Sequence, residues 1–221
     1  MPTSELSAEA LSQSAKVDLA KWSALPSVAV VEKTAAALTS HGFQVHVVDD
    51  GPAALRKVQA LIPEGAEVMN GSSTTLIEIG FLDWIKGSSG RRSTQAEVNA
   101  EQDPQKRSDL RRKSVTAEWF CASVNAVTET GELVAADKSG SRVGAMPFAA
   151  KNLVVVVGTN KIVPSVDQAL ARLREYAYPL ENARAQRVYK MESAIAKILI
   201  FAMETIPNRT TVVLVKQALG Y

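Results

Sequence analysis

Cysteine and histidine are scarce in this chain of 221 residues, and their scarcity limits its chemistry. The single cysteine, Cys121, permits neither a disulfide within the chain nor a CxxC motif for zinc or an iron–sulfur cluster. Its apolar neighbours favour a buried side chain that acts as a small hydrophobe. The two histidines, His41 and His46, are too few for a histidine metal site without carboxylate ligands. We therefore predict neither a metal site nor a cofactor.

The chain also lacks a long apolar run and a large excess of charge. Its longest apolar run, Leu153–Val157, has the length of a strand and is far too short to cross a membrane. Residues Met1–Ala20 are polar and alanine-rich, without the apolar core of a secretory signal, so we expect a cytoplasmic protein. The net charge of +2 gives no argument for nucleic acid. The basic residues around Arg111 alternate with aspartates, as on a solvated helix.

Helices and strands alternate along most of the sequence. Residues 1–27 form an N-terminal segment in which Ser7–Lys21 is compatible with a polar helix. In residues 28–221, apolar runs of strand length alternate with helical patterns. This order predicts one α/β domain with a mainly parallel sheet and helices on both faces. Two strands near the end of the sequence, Lys197–Ala202 and Thr210–Val215, are predicted to pair antiparallel at one edge.

Two further helices are predicted, and the least regular stretch of the sequence follows the first of them. Leu76–Lys86 is apolar on nearly every side, which predicts one largely buried helix. Val166–Tyr176 is predicted as a second helix, and it follows the buried strand Leu153–Val157. Residues 87–105, which contain several glycines and serines and one proline, show no clear pattern.

A polar loop follows the predicted strand Ala66–Met69. It contains one amide, one glycine and three hydroxyl side chains, namely Asn70, Gly71, Ser72, Ser73 and Thr74. Glycine lets a backbone approach a ligand closely, and free N–H groups at a helix start favour a phosphate or carboxylate. A capped turn between strand and helix needs the same residue types, so both interpretations stand.

A second polar segment, Asn125–Gly131, precedes the predicted strand Glu132–Ala135. As a hairpin turn, it would leave Glu129 solvated and use Gly131 for a positive φ. As part of a ligand pocket, it would place Asn125, Glu129 and Gly131 at the carboxyl edge of the sheet. A loose analogy with the glutamate of CoA-transferases makes Glu129 a candidate nucleophile. The turn or contact role is favoured over the catalytic one.

Three further residues are candidates for binding an anion. Arg142 lies in a loop flanked by glycine and serine, where a guanidinium can grip a carboxylate or phosphate with two hydrogen bonds. The alternative is a surface arginine in a turn. Asn160 and Lys161 follow the strand Leu153–Val157, where parallel sheets bind ligands, although a plain loop is the competing interpretation.

Four stretches taken together resemble the lactate-utilisation (LUD) family. They are Ile62–Ile85, Ser123–Val134, Gly140–Val163 and Pro207–Tyr221. The resemblance implies a Rossmann-like fold similar to the ribose-5-phosphate isomerase, glucosamine-6-phosphate deaminase and CoA-transferase group. It also implies a homodimer, the commonest closed assembly. Many relatives carry a cysteine cluster after the helix that corresponds to Val166–Tyr176. Since Pro179–Ser193 contains no cysteine here, a metal or iron–sulfur role is not carried over.

These observations leave three functions open. The favoured one is a protein that binds a small carboxylated or phosphorylated metabolite at the loops after its strands. Whether it is an enzyme, and of what reaction, is left open. The second is a non-catalytic subunit or assembly partner of an iron–sulfur or flavin complex that oxidises lactate. A CoA- or nucleotide-binding protein follows from fold analogy alone. None of the three involves nucleic acid or a membrane.

Overall fold

A six-stranded parallel sheet forms the centre of the molecule in a computed structural model that describes residues 7–87 and 89–221. From one edge to the other, its strands are β1 (Gln44–Val48), β10 (Thr210–Val215), β7 (Asn152–Gly158), β4 (Trp119–Ala122), β2 (Glu67–Asn70) and β3 (Arg92–Ser93). Every neighbouring pair is parallel. The predicted α/β class with a mainly parallel sheet is therefore confirmed.

A smaller mixed sheet packs against this one. Its strands, in order, are β8 (Ile162–Val163), β5 (Ala126–Thr128), β6 (Leu133–Asp137) and β9 (Lys197–Phe201). β5 and β8 are parallel, whereas β6 is antiparallel to both β5 and β9. The predicted pairing between the last two strands is wrong. All six residues of β10 are buried, so this strand needs a neighbour on each side, and it lies between β1 and β7.

Helices cover the outer surfaces of the two sheets. Their bounds are α1 Ala8–Ala15, α2 Leu19–Ser23, α3 Val28–Ser40, α4 Gly51–Leu61, α5 Thr74–Glu78, α6 Phe81–Lys86, α7 Thr94–Ala100, α8 Pro104–Ser114, α9 Ser141–Gly144, α10 Val166–Arg172 and α11 Tyr178–Tyr189. A π-helical turn, Ala145–Ala149, follows α9, and another, Leu173–Ala177, joins α10 to α11.

The side chains of the central strands alternate between two cores. In β7, Val154 and Val156 contact α4, α5 and α6 on one face. Leu153, Val155 and Val157 face α3 and the second sheet on the other. A third cluster lies between the second sheet and helices α1, α2, α10 and α11. This period of two is the geometry of a strand that is buried on both faces.

Two predicted helices differ from those observed. The segment Leu76–Lys86 is not one helix, because Gly80 adopts φ +80° and separates α5 from α6. The helix that begins at Val166 continues past Tyr176 to Tyr189 instead of ending before Pro179. Pro179 stands in the first turn of α11, directly after the π-helical turn, where the loss of its N–H is tolerated.

The N-terminal segment packs on the same domain. The predicted helix Ser7–Lys21 is divided into α1 and α2 at Lys16, whose φ of 53° ends the first helix. Leu11 and Trp22 are buried against α10 and α11. This contact matters for the site, because α11 supplies part of one wall of the cleft described below.

Candidate functional site

A cleft of about 590 Å³ opens at the carboxyl ends of β2, β4 and β6. The loops after these strands supply one side, and α11 with the segment 191–195 supplies the other. Among the residues predicted from sequence, the cleft brings together Gly71, Ser72, Ser73, Thr74, Asn125, Arg142 and Lys161. Four segments far apart in the sequence thus meet where parallel sheets usually bind ligands.

Lys161 lies on the floor of this cleft and is only 1% exposed. Its ammonium group donates to Thr75 Oγ1 at 2.9 Å, to Ser123 Oγ at 3.2 Å and to the carbonyl of Val124 at 3.2 Å. Burial lowers the pKa of Lys161 well below its ordinary value, and the nearby charge of Arg172 lowers it further.

Arg172, behind the floor, is completely buried. It donates to the carbonyls of Asn125 and Trp22 and stacks 4.8 Å from the centroid of the Tyr176 ring. Within the described part of the chain, no carboxylate forms an ion pair with Arg172. Glu78 is the acidic group that attracts Lys161, but burial raises the pKa of its own carboxyl. Lys161 and Arg172 are therefore two neighbouring buried basic groups, neither of which forms an ion pair with a carboxylate among the described residues.

Arg142 also lines the cleft, but its hydrogen bonds are made within the protein. One nitrogen donates to the carbonyl of Ser123 at 3.1 Å, another donates to the carbonyl of Ala136, and Nε lies 3.4 Å from the Asp137 carboxylate. The aliphatic part of Arg142 packs over Gly71, where a Cβ would lie 3.4 Å from Arg142 Cδ. Arg142 thus joins the loops after β2, β4 and β6.

Several polar lining residues were missed by the sequence analysis. They are Thr75, Arg111, Ser123, Glu181, Arg184 and Tyr221. Ser123 directly follows β4, so the rule that selected the loop after β2 could have found it. Arg184 and Tyr221 carry no local signal, because the packing of α11 and of the last residues brings them to the cleft.

Arg111 stands at the mouth of the cleft. It is exposed on α8 and donates to Ser139 Oγ at 3.0 Å and to Ser141 Oγ at 3.1 Å. These three side chains present a cation and two hydroxyl groups to an incoming ligand. The solvated helix predicted around Arg111 corresponds to α8 (Pro104–Ser114).

Asn70, Glu129 and Gly131 are not among the cleft residues. Glu129 forms an ion pair with Lys33 at 2.9 Å. Gly131 has φ +100° and packs against α3, as the turn interpretation requires. Asn70 is buried at the end of β2 and donates to the carbonyl of Gly71. The geometry thus gives no support to Glu129 as a nucleophile in this cleft.

Asn160 points away from the cleft, unlike its neighbour Lys161. Its amide oxygen accepts from the backbone N–H of Leu219 at 3.1 Å, and its amide nitrogen donates to the carbonyl of Gly220. Asn160 therefore holds the chain that carries Tyr221 to the cleft wall. The Tyr221 hydroxyl donates to the Glu181 carboxylate at 3.4 Å.

Two properties of the described residues bear on metal binding and on membranes. Between residues 7 and 87 and between 89 and 221, no group of three or more histidine, cysteine, aspartate or glutamate side chains is arranged to hold a metal ion. No helix in these ranges is both long and apolar enough to span a membrane. The buried position predicted for Cys121 is confirmed.

Comparison with known proteins identifies the family. A model of the LUD domain matches residues 31–215. The chain belongs to the LUD domain family. This LUD domain is also similar in structure to a DUF162 family protein from Deinococcus radiodurans, with a TM-score of 0.53 and 11% sequence identity over 87% of this chain and 99% of that chain. At this identity the likeness shows a shared fold. A search of curated proteins gave no match.

Proposed function

We propose that this LUD domain binds a small carboxylated or phosphorylated metabolite in the cleft. The observation that carries the proposal is a neighbouring pair of buried basic side chains, Lys161 on the cleft floor and Arg172 behind it, neither of them ion-paired with a carboxylate among the described residues. A buried charge without a counter-charge is costly, and an anionic ligand next to Lys161 would supply that counter-charge. The family name, which refers to lactate utilisation, is consistent with a carboxylate ligand.

The surroundings of Lys161 support the same ligand chemistry. Ser72, Ser73 and Thr74 bring hydroxyl groups to the cleft, and Ser123 adds another beside the amine. Arg111 places a further cation at the mouth. Hydrogen bonds from charged donors to carboxylate or phosphate oxygens are about twice as strong as neutral ones. A small anion would therefore find both charge and donors in one place.

A thermal-shift screen tests the proposal. The purified protein is heated with lactate, pyruvate, sugar phosphates, nucleotides or acyl-CoAs, and we expect at least one anion to raise the melting temperature with increasing concentration. Arg111→Ala should weaken that ligand roughly two- to fivefold, as expected for an exposed charge worth up to about 1 kcal/mol. Arg112→Ala removes an exposed cation on the same helix that does not line the cleft, and serves as the control.

The opposite result would also be informative. If no anion in the panel changes the melting temperature, a metabolite site in this cleft is wrong. The alternative predicted from sequence, a partner of an iron–sulfur or flavin complex, would then be tested by recovering the protein with its partners from native extract. A shift that is unaffected by Arg111→Ala and by substitution of Lys161 would place the ligand elsewhere on the protein.

A further inference from the structure

The cleft is larger than a three-carbon acid requires. Its volume is about 590 Å³, whereas such an acid displaces on the order of six waters, or roughly 200 Å³ at about 30 Å³ each. Pockets of roughly 300–1,000 Å³ usually take ligands of drug size. A ligand that fills this cleft must therefore extend well beyond an anionic group on the floor.

The outer part of the cleft presents an aromatic ring. Tyr189, at the end of α11, lines the cleft but is 54% exposed. The guanidinium carbon of Arg184 lies 5.2 Å from the centroid of the Tyr189 ring. One face of the ring is therefore covered by a cation, and the exposed remainder is available to a ligand. Met191, also 54% exposed, adds apolar surface to the same part of the cleft.

Arg184 connects this ring to the hydroxyl loop after β2. Its guanidinium donates to Ser72 Oγ at 3.4 Å and makes two hydrogen bonds of 2.7 Å to the Glu181 carboxylate. Because Arg184 is only 6% exposed and held by Glu181, its position is fixed. The ring of Tyr189 and the hydroxyl of Ser72 are thus separated by one guanidinium, a spacing that one small ligand can bridge.

We propose that the ligand of this cleft is an anion that also carries a planar aromatic ring. Its phosphate or carboxylate lies against Ser72 and Lys161, and its ring stacks on Tyr189. This inference rests on the proposed function, since the anionic end is the group assigned to the floor. A nucleoside 5′-monophosphate has this chemistry, with a ribose between phosphate and base, and serves as the probe.

Isothermal titration with AMP and with ribose 5-phosphate separates the two ends of the ligand. Both carry the same phosphate, but ribose 5-phosphate lacks the base. Stacking of one base on an aromatic side chain should make AMP bind roughly 5- to 100-fold more tightly. Tyr189→Ala should reduce AMP affinity to that of ribose 5-phosphate and leave ribose 5-phosphate unchanged. Tyr189→Phe should keep the difference, as should Phe148→Ala, which removes an 81% exposed ring outside the cleft.

Other outcomes would overturn the inference in distinguishable ways. Equal affinities for AMP and ribose 5-phosphate, or equal losses for both in Tyr189→Ala, would show that no ring stacks on Tyr189, while the anion site would stand. Binding of ring-free acids without binding of AMP would lead to the same conclusion. If no anion binds at all, the proposed function fails, and the aromatic extension fails with it.

Discussion

Lys161→Met should leave the ligand-free protein as stable as before, or more stable, while it removes anion binding. Methionine has a similar length and an adaptable apolar side chain, so it can fill the space of the lysine stem. The substitution removes a completely buried amine whose positive form is repelled by Arg172 and Arg142 and attracted by Glu78. A residue that serves ligand binding at a cost in stability should behave in this way.

The expected magnitude follows from the contacts of the amine. Three hydrogen bonds are lost, each worth about 1 kcal/mol net. Thr75, Ser123 and Val124 all line the cleft, so water can take the place of the lost amine and recover part of this loss. The substitution also removes the cost of burying an ion, which is on the order of several kcal/mol. This cost is smaller to the extent that the amine releases its proton in the folded protein. We expect a net change between about zero and 2 kcal/mol of stabilisation.

Urea denaturation followed by circular dichroism measures this change. Glu204→Gln provides the contrast, because Glu204 and Arg209 are each 3% exposed and form a 2.7 Å ion pair. Breaking that balanced pair should cost about 3–5 kcal/mol. In the binding assay, Lys161→Met should lose at least about 2 kcal/mol, or roughly 30-fold in affinity. A loss of stability as large as that of Glu204→Gln would mean that the charge of Lys161 is balanced in the free protein and that no anion is missing.

Three further predictions concern stability and reactivity. Hydrogen bonds from Thr210, Ile206 and Arg209 outweigh burial and hold the pKa of Glu204 below its ordinary 4.5. The ionised carboxylate therefore stabilises the fold above that value, and this contribution is lost as the pH falls through the lower folded pKa. In thermal melts at decreasing pH, the melting temperature of Glu204→Gln should fall less than that of the unchanged protein. Arg142→Ala should lower the free energy of unfolding in urea by about 2–4 kcal/mol, whereas Arg111→Ala, at an exposed position, should lower it by less than about 1 kcal/mol. Equal losses for the two variants would contradict the role of Arg142 in joining loops. Burial raises the pKa of the Cys121 thiol, so a thiol reagent should label it in urea but not in buffer, and prompt labelling of the native protein would contradict its buried position.

Most of the central sheet could be predicted from sequence, whereas in the second sheet only the strands β6 and β9 could be. A long apolar run such as that of β7 is a strong signal, since few other elements bury five consecutive aliphatic residues. β5 has three residues and β8 has two, which is too short for any periodicity to appear. The place of β10 depends on partners more than fifty residues away along the chain, and such contacts leave no local pattern.

The candidate site was predictable on one side of the cleft. Loops after strands β2 and β4 reach the same edge of a parallel sheet, so Ser72 and Asn125 could be expected to lie close together. The opposite wall comes from α11, whose position depends on its packing against α1 and the second sheet. Arg184 and Tyr189 therefore reach the cleft through tertiary contacts that the sequence around them does not specify.

Charge balance then separates residues that looked alike in the sequence. Arg142 was the most conspicuous cation, yet its guanidinium is held by two carbonyls and by Asp137, so its charge already has a partner. Asn160 and Lys161 are adjacent, but the Asn160 side chain holds residues 219–220, whereas Lys161 lies at the cleft floor near Arg172 and forms no ion pair with a carboxylate in the described part of the chain. Since folding alone gives no reason to bury Lys161 in this way, the lysine is the stronger candidate for contact with a ligand, and the arginine is the stronger candidate for keeping the cleft in shape.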